Sequence, residues 1–502
     1  MRVKRLFLGI LLSAIFVNII ASNYNPEGIS ISLKVPGNKA RRYPLALQKY
    51  QDGVYKCQSS EELPLIITRQ VVNQNGMQRI NVVIKALETV YFNYGEQIET
   101  GYKHSDCQFY MPGFWYRRNL RSPENTPSFK ISDSWLVRED RLSTPLTAVF
   151  CSSKAKSMSV IRLDKFDKEA LTTHKEGEVI VSGETSIGYT GFENVGGMTV
   201  LSYGFPYKEA PRTYIRKLTL APSVEAFQFL CKGDSITLAW ELSEIDVADF
   251  SECVQRTWEY CYDTYRPQSF NASYTADRMK EVLSNFFVDS YVDSTPTHYY
   301  SGVGLKTLTC DKTDVAEVGF LGRTLLNAFN ALEYGSLQNR SELVKDANNI
   351  FETYLSHGFS PAGFFNEVVR FHRDSKESNF SIRRQSEGVY AILSYLDYEK
   401  KHKRKHVEWE KRLKVILDNF LRIQKADGSF PRKFKDDFSI VDSTGGSTPS
   451  VTLPLVMAYK YFNDKRYLES AKRSANYLEN EIISKSDYFS STLDANCEDK
   501  EA

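Results

Sequence analysis

Two periods divide the chain. Between about residues 28 and 245, apolar and polar positions alternate or β-branched residues cluster in short runs. These are ISISLKV (29–35), INVVIKAL (80–87), LTAVFC (146–151), GEVIVSG (177–183), MTVLSYGF (198–205), RTYIRKLTL (212–220) and DSITLAWEL (234–242). Gly, Pro and Asn turns punctuate them, which is how half-buried strands read. With no long helix-period run between them, they predict a large antiparallel β-sandwich over residues 28–248.

The period changes at DFSECVQRTWEYCYDTY (249–265), where Phe250, Cys253, Val254, Thr257 and Cys261 recur at helical spacing. A linker helix is expected within 249–271. Beyond it, helices are predicted at 314–335, 341–358, 381–401, 407–425, 449–464 and 466–482. They fall in pairs. The first of each pair is small and apolar and the second is amphipathic and rich in Lys and Glu, the pattern of an inner buried helix and an outer solvated one. First members begin near 314, 381 and 449, a repeat of about 67 residues. A long loop joins each outer helix to the next inner one, and HGFSPAGFF (357–365) and QKADGSFPRKF (424–434) occupy equivalent places in two such loops.

This arrangement, with KADGSFP and TPSVTLPLVMAYKYFNDKRYLESAKRSANYLE, resembles the six-hairpin (α/α)6-toroid glycosidase-like superfamily, in which a β-sandwich often precedes the toroid. The resemblance spans roughly 270–502 for the toroid and 28–265 for the sandwich, and it marks the superfamily rather than a substrate. Six hairpins need roughly twice the helical sequence found here. TLDANCEDKEA (492–502) reads as a loop entering a further inner helix. The expected fold class is therefore multidomain β + α, with an (α/α) toroid over 272–502 that is incomplete at its C-terminus.

The first 22 residues, MRVKRLFLGILLSAIFVNIIAS, place Arg2, Lys4 and Arg5 before an apolar run from about Leu6 to Ile20, followed by the small Ala21 and Ser22. That is a signal-peptide layout, and the run is short for a bilayer span. An exported protein, periplasmic or extracellular and without a membrane anchor after processing, is expected. Lys+Arg 64 against Asp+Glu 62 gives no reason to expect a nucleic-acid partner. Thirty Tyr and 30 Phe suit sugar-stacking surfaces, and equally a β-rich core. The eight cysteines are dispersed, without CxxC or zinc-like spacing, so free thiols are expected and neither a metal site nor a disulfide framework.

Glycoside hydrolysis needs two carboxyl groups, one protonated as acid and one ionised as nucleophile or base. In the toroids that the chain resembles, loops entering the inner helices line the substrate cup. Acids at such entries are Asp311, Asp314 and Glu317; Glu387 in SIRRQSEG; Asp442 in SIVDSTGGSTPS; and Asp494, Glu498, Asp499 and Glu501 near the end. Helix capping is the competing explanation, and Asp314 with Glu317 fits a capping box. Glu387 and Asp442 are the catalytic candidates, with Asp494 third.

Arg384, Phe364, Phe365, Glu367, Phe430 and Arg432 are candidate substrate contacts; the phenyl rings either stack on sugars or pin their loops. Trp115 and Tyr116, beside Arg117 and Arg121, form an aromatic-basic cluster placed to close one side of the cup. The alternating charges of Arg138 to Arg141 suit an interdomain ion-pair network equally well. A carbohydrate substrate and no cofactor are expected, as is an exported hydrolase of poly- or oligosaccharides. Two alternatives stay open. One is a polysaccharide lyase using His298 or Tyr299, with Arg384 or Arg432 against a uronate; the other is a non-catalytic or truncated glycan-binding relative.

Overall fold

The computed structural model describes residues 28–74, 76–122, 124–164, 166–170, 176–216, 218–266, 273–293, 298–300, 315–319, 323–370, 379–485 and 487. The chain forms two compact units. One comprises Met1–Arg118 and Glu124–Thr264; the other comprises Asn119–Pro123 and Tyr265–Ala502.

The first unit is β. Among the described residues one nine-stranded sheet runs Gly177–Ile180, Thr219–Leu230, Lys208–Arg216, Trp135–Arg138, Tyr189–Val195, Met198–Phe205, Val90–Lys103, Ile29–Lys34, Arg41–Pro44. The second runs Gln48–Gln51, Val54–Cys57, Leu65–Gln74, Met77–Ala86, Ser235–Asp246, Lys156–Arg162, Leu146–Cys151, Cys107–Met111, Trp115–Arg117. Among the described residues the unit's pairings are antiparallel except that of Gly177–Ile180 with Thr219–Leu230.

Both sheets send alternate side chains into one core, Ile31, Phe92 and Leu201 from the first and Ile67, Val82 and Trp240 from the second. That shared core explains the period-2 pattern. It also holds an ion pair, Arg69 Nη2 to Glu96 Oε2 at 3.0 Å, whose carboxylate accepts from Tyr94 and Tyr203. Buried charge needs such pairing. Helix α1, Phe250–Thr264, belongs to this unit and buries Phe250, Cys253, Thr257 and Cys261.

The run 212–220 is not one strand. It turns at Leu218, whose φ is +56°, so its two ends belong to neighbouring strands. No Gly or Pro marks this turn, and alternation continues straight through it.

The second unit is helical. It contains α2 (Ala276–Ser290), α3 (Thr324–Leu337), α4 (Ser341–His357), α5 (Ile382–Lys401), α6 (Val407–Ile423), α7 (Pro449–Phe462) and α8 (Lys465–Tyr477). Three pairs, α3/α4, α5/α6 and α7/α8, share one apolar core with α3, α5 and α7 side by side. The amphipathic α4, α6 and α8 each bury a single face, as their sequences predict.

The helix expected at 314–335 starts ten residues late. Val315–Glu317 is instead a strand paired with Val368–Arg370, and α3 is entered through Arg323 in the left-handed region (φ +42°). Glu317 therefore caps no helix. The inner helices begin at 324, 382 and 449, so the first interval is shorter than the repeat predicted. No helix among the described residues is long and apolar enough to cross a membrane.

Candidate functional site

Two loops of the helical unit are built to one plan. Gly363 and Gly428 each have φ +90°, a conformation open to glycine. Gly363 N–H donates to Ser360 O at 2.9 Å, and Gly428 N–H to Lys425 O at 3.0 Å. Each turn closes with a bond of 2.9 Å, Ser360 N to Phe364 O and Lys425 N to Ser429 O.

The residue after each turn is then gripped by a side chain at the entry to the next inner helix. Phe365 N–H donates to Gln385 Oε1 at 2.9 Å, and Phe430 N–H to Thr448 Oγ1 at 3.0 Å. Two residues further on the match persists: Val318 N–H donates to Glu367 O at 2.9 Å, and Ile382 N–H to Arg432 O at 3.2 Å. Each loop is a hairpin stitched to an inner-helix N-terminus. The aromatic segment after each turn anchors it, its rings buried in the core.

Phe364, Phe365 and Phe430 are accordingly core residues, none more than 1% exposed. Phe364 packs on Phe434 and Phe380, and Phe430 on Phe420. They offer no face to a sugar. Trp115 and Tyr116 are likewise buried, within the β unit: Trp115 lies against Phe192 and Trp135, and Tyr116 against Phe250. The charges at 138–141 pair inside that unit too, Arg138 with Asp140, Glu139 with Arg162 and Arg141 with Glu209. Arg121 makes a bidentate pair with Asp487 at 2.6 and 2.7 Å, both in the helical unit.

What remains at the inner-helix entries is charged. Glu317, Glu387 and Asp442 keep 22%, 20% and 22% of their side-chain surfaces, so each reaches solvent. Every one is held by guanidinium. Arg384 Nη2 lies 3.5 Å from Glu317, and Arg383 Nε and Arg323 Nη2 lie 3.2 and 3.7 Å from Glu387. Arg432 Nη1 donates to Asp442 Oδ2 at 2.9 Å. The chain at Gly319 passes so close that a β-carbon there would sit 2.6 Å from Glu387 Oε2.

Glu367 plays a different part from the substrate contact expected of it. It is buried, accepts from Ser381 N–H and from Gln385 Nε2 at 3.1 Å, and has Arg384 Nη1 at 3.8 Å. It positions the start of α5. Arg432 is equally enclosed, with its carbonyl stitching α5 and its guanidinium spent on Asp442.

Asp442 ends the strand Ile440–Asp442, next to Lys433–Phe434, which in turn pairs with Phe380–Ser381 at the head of α5. Partial burial works against its ionisation. Hydrogen bonds from the Thr444 hydroxyl and N–H, with the Arg432 charge, outweigh it and hold the carboxyl below its ordinary value. Asp442 is thus anionic at neutral pH and suits the ionised role.

Asp311, Asp314, Asp494, Glu498, Asp499 and Glu501 lie outside the described residues. Of His298 and Tyr299 only the backbone is described, on a strand paired with Tyr291–Asp293. Among the described residues no three His, Cys, Asp or Glu side chains are grouped to hold a metal ion. Cavities of ≈ 570 and ≈ 840 Å³ lie toward the other end of the inner helices, lined by Tyr398 of α5, by His402 just beyond it and by Glu333 of α3. A 20-residue helix is about 30 Å long, so they are far from Glu387.

Gln385, Thr444 and Thr448 are positioning residues that residue type alone does not single out. Only the STGG segment after Asp442, which favours a local side-chain turn, gave a signal for one of them.

By sequence, no family and no curated protein matches the chain. Comparison finds solved structures with partial similarity to it, at low TM-score. One is a possible member of the GH105 family from Salmonella enterica serovar Paratyphi A, at 15% identity, TM-score 0.35, covering 48% of this chain and 60% of that one. Another is cellobiose 2-epimerase from Spirochaeta thermophila, at 12% identity, TM-score 0.33, covering 44% and 58%. A third is unsaturated glucuronyl hydrolase from Bacillus sp. GL1, at 13% identity, TM-score 0.33, covering 41% and 57%. The chain thus spans no more than about three-fifths of the length of these proteins.

Proposed function

We propose that the protein is a carbohydrate-active enzyme, a glycoside hydrolase whose helix hairpins are a sector of an (α/α) toroid. The observation that carries this reading is the row of solvent-reaching carboxylates, Glu317, Glu387 and Asp442, at the entries to inner helices and each held by arginine. Asp442, kept ionised, serves as the base that activates water or as the nucleophile. Glu387 is the second carboxyl of the pair. Glu317, freed from helix capping, joins the pair as a third candidate, and Arg384 beside it binds the substrate. The protein is exported in this reading, and its substrate is a poly- or oligosaccharide.

Polysaccharide lyase action is the second reading, favoured by the guanidinium groups of Arg383, Arg384 and Arg323 near the start of α5, which suit a uronate carboxylate. Incubation with neutral and uronate-containing oligosaccharides separates the two. New reducing ends without ultraviolet absorbance support hydrolysis, and absorbance rising with the reducing ends supports elimination. Neither signal on a panel of both classes contradicts both readings.

A further inference from the structure

Six strands of the β unit close on themselves. Thr219–Leu230 pairs with Lys208–Arg216 along its first part and with Val90–Lys103 at Gln228–Leu230. The remaining pairings run from Lys208–Arg216 through Trp135–Arg138, Tyr189–Val195 and Met198–Phe205 back to Val90–Lys103. A polar cleft of ≈ 50 Å³ is lined by residues of all six, with Ser30, Ser32 and Arg42 from the two strands beyond.

Glycine shapes its floor. Gly95 and Gly204 face each other in register, and Tyr189 faces Gly204 on the next strand. A β-carbon on Gly95 would stand 2.3 Å from the Tyr189 hydroxyl oxygen, and one on Gly204 would stand 2.6 Å from its ring. The two glycines therefore let the tyrosine lie across neighbouring strands and bring its hydroxyl to the cleft.

Tyr189 is only 6% exposed, yet its hydroxyl makes no hydrogen bond among the described residues. The hydroxyl oxygen is not sealed inside the sheet; it opens to the cleft, where a bound group can meet it. Burial pushes its pKa up, as do the Glu225 and Glu193 carboxylates, with Arg42 opposing, so it stays a donor at any physiological pH.

The surrounding charges balance. Lys208 lies 3.4 Å from Glu225, and Glu193 is oriented by Gln97 at 2.8 Å and by Ser202. Arg42, exposed at the rim, rests on Ser30 at 3.0 Å, and Glu96 is neutralised by Arg69. Such a lining has little preference for a free cation or a phosphate. It offers fixed donors and acceptors side by side, which matches paired hydroxyl groups. Its volume suits a few water-sized groups at roughly 10–15 Å³ each, enough for two or three hydroxyls.

We propose that this cleft binds the hydroxyl-bearing edge of a neutral sugar, Tyr189 donating to it, Glu193 and Glu225 accepting and Lys208 donating from the wall. The site goes beyond the hydrolase reading and uses none of its residues.

Saturation-transfer NMR on the full chain with glucose, galactose, xylose and rhamnose, each up to about 10 mM, tests it. At least one sugar is expected to bind saturably. Tyr189→Phe, with unchanged thermal unfolding, is expected to weaken that binding about tenfold, the effect of one lost hydrogen bond. Lys208→Met is expected to weaken it too, and the Glu387→Gln/Asp442→Asn double variant to leave it unchanged. No saturable binding by any of the four sugars, or equal binding in wild type and Tyr189→Phe, overturns the proposal. Binding lost in the double variant also overturns it, by placing the sugar at the carboxylates of the helical unit.

Discussion

Arg432 Nη1 donates to Asp442 Oδ2 at 2.9 Å, from a guanidinium that is almost wholly buried to a carboxylate that is not. The arrangement fixes the charge state of Asp442 while leaving it reachable. Arg432→Met removes a charge that lowers the Asp442 pKa, so the acidic limb of a pH–rate profile is expected to move to higher pH. The stability effect has a definite sign. A carboxyl with a depressed folded-state pKa stabilises the fold above its unfolded pKa, and that contribution is lost as pH falls through the folded value. Denaturant titrations of Asp442→Asn should therefore show destabilisation at neutral pH that fades as pH falls through and below the ordinary carboxylate range. A penalty that grows on acidification contradicts the assignment.

Gln385 holds Phe365 from both sides, accepting from its N–H at 2.9 Å and donating to its carbonyl at 2.8 Å. Gln385→Leu orphans both backbone groups and one acceptor of Glu367, and is expected to cost about 3 kcal/mol. Thr448→Val, which orphans the Phe430 N–H and leaves the Gly445 carbonyl with the Thr448 N–H as donor, is expected to cost about 1 kcal/mol. Equilibrium urea unfolding of the two variants measures the difference, and equal penalties would contradict the scheme.

Gly388 sits inside α5, where alanine ordinarily gains about 1 kcal/mol over glycine. Here an added β-carbon would stand 2.7 Å from two atoms of the Phe365 ring and 2.9 Å from Val318. Overpacking of that kind costs about 1–3 kcal/mol and reverses the sign. Gly388→Ala is expected to lower the unfolding midpoint; a raised midpoint would show that the ring gives way freely.

The thiols should separate by reactivity. Cys231 is exposed and Cys57 half-buried, whereas Cys107, Cys253 and Cys261 are enclosed, with burial pushing their pKa values up to about 12, 11 and 12. Brief alkylation of the folded protein, read by peptide mass spectrometry, is expected to label Cys231 first and these three only after denaturation. Early labelling of Cys253 would mean that α1 does not pack as described.

Much of the architecture was legible. The change of period near residue 250 located α1, and the apolar and amphipathic stripes placed α4 to α8 within a few residues, because each buries one continuous face. The failures have physical causes. The turn at Leu218 carries no turn residue, and Val315 and Ala316 belong to a short strand that periodicity alone merged into the helix. At the site, residue type identified the carboxylates and arginines but not their exposure. Phe364, Phe365 and Phe430 read equally as stacking faces or anchors, and tertiary packing decided for anchors. Nothing local distinguishes an arginine spent on an ion pair, such as Arg432, from one available to a ligand.

The central claim is that Glu387 and Asp442 act together on a glycosidic bond. It is tested most directly by reducing-end release from an oligosaccharide panel by the wild type, Glu387→Gln and Asp442→Asn, with folding verified by thermal unfolding. Wild-type turnover that falls by about a hundredfold or more in each folded variant is the predicted result. Turnover that survives both substitutions would contradict it and move the chemistry away from the α5 and α7 entries.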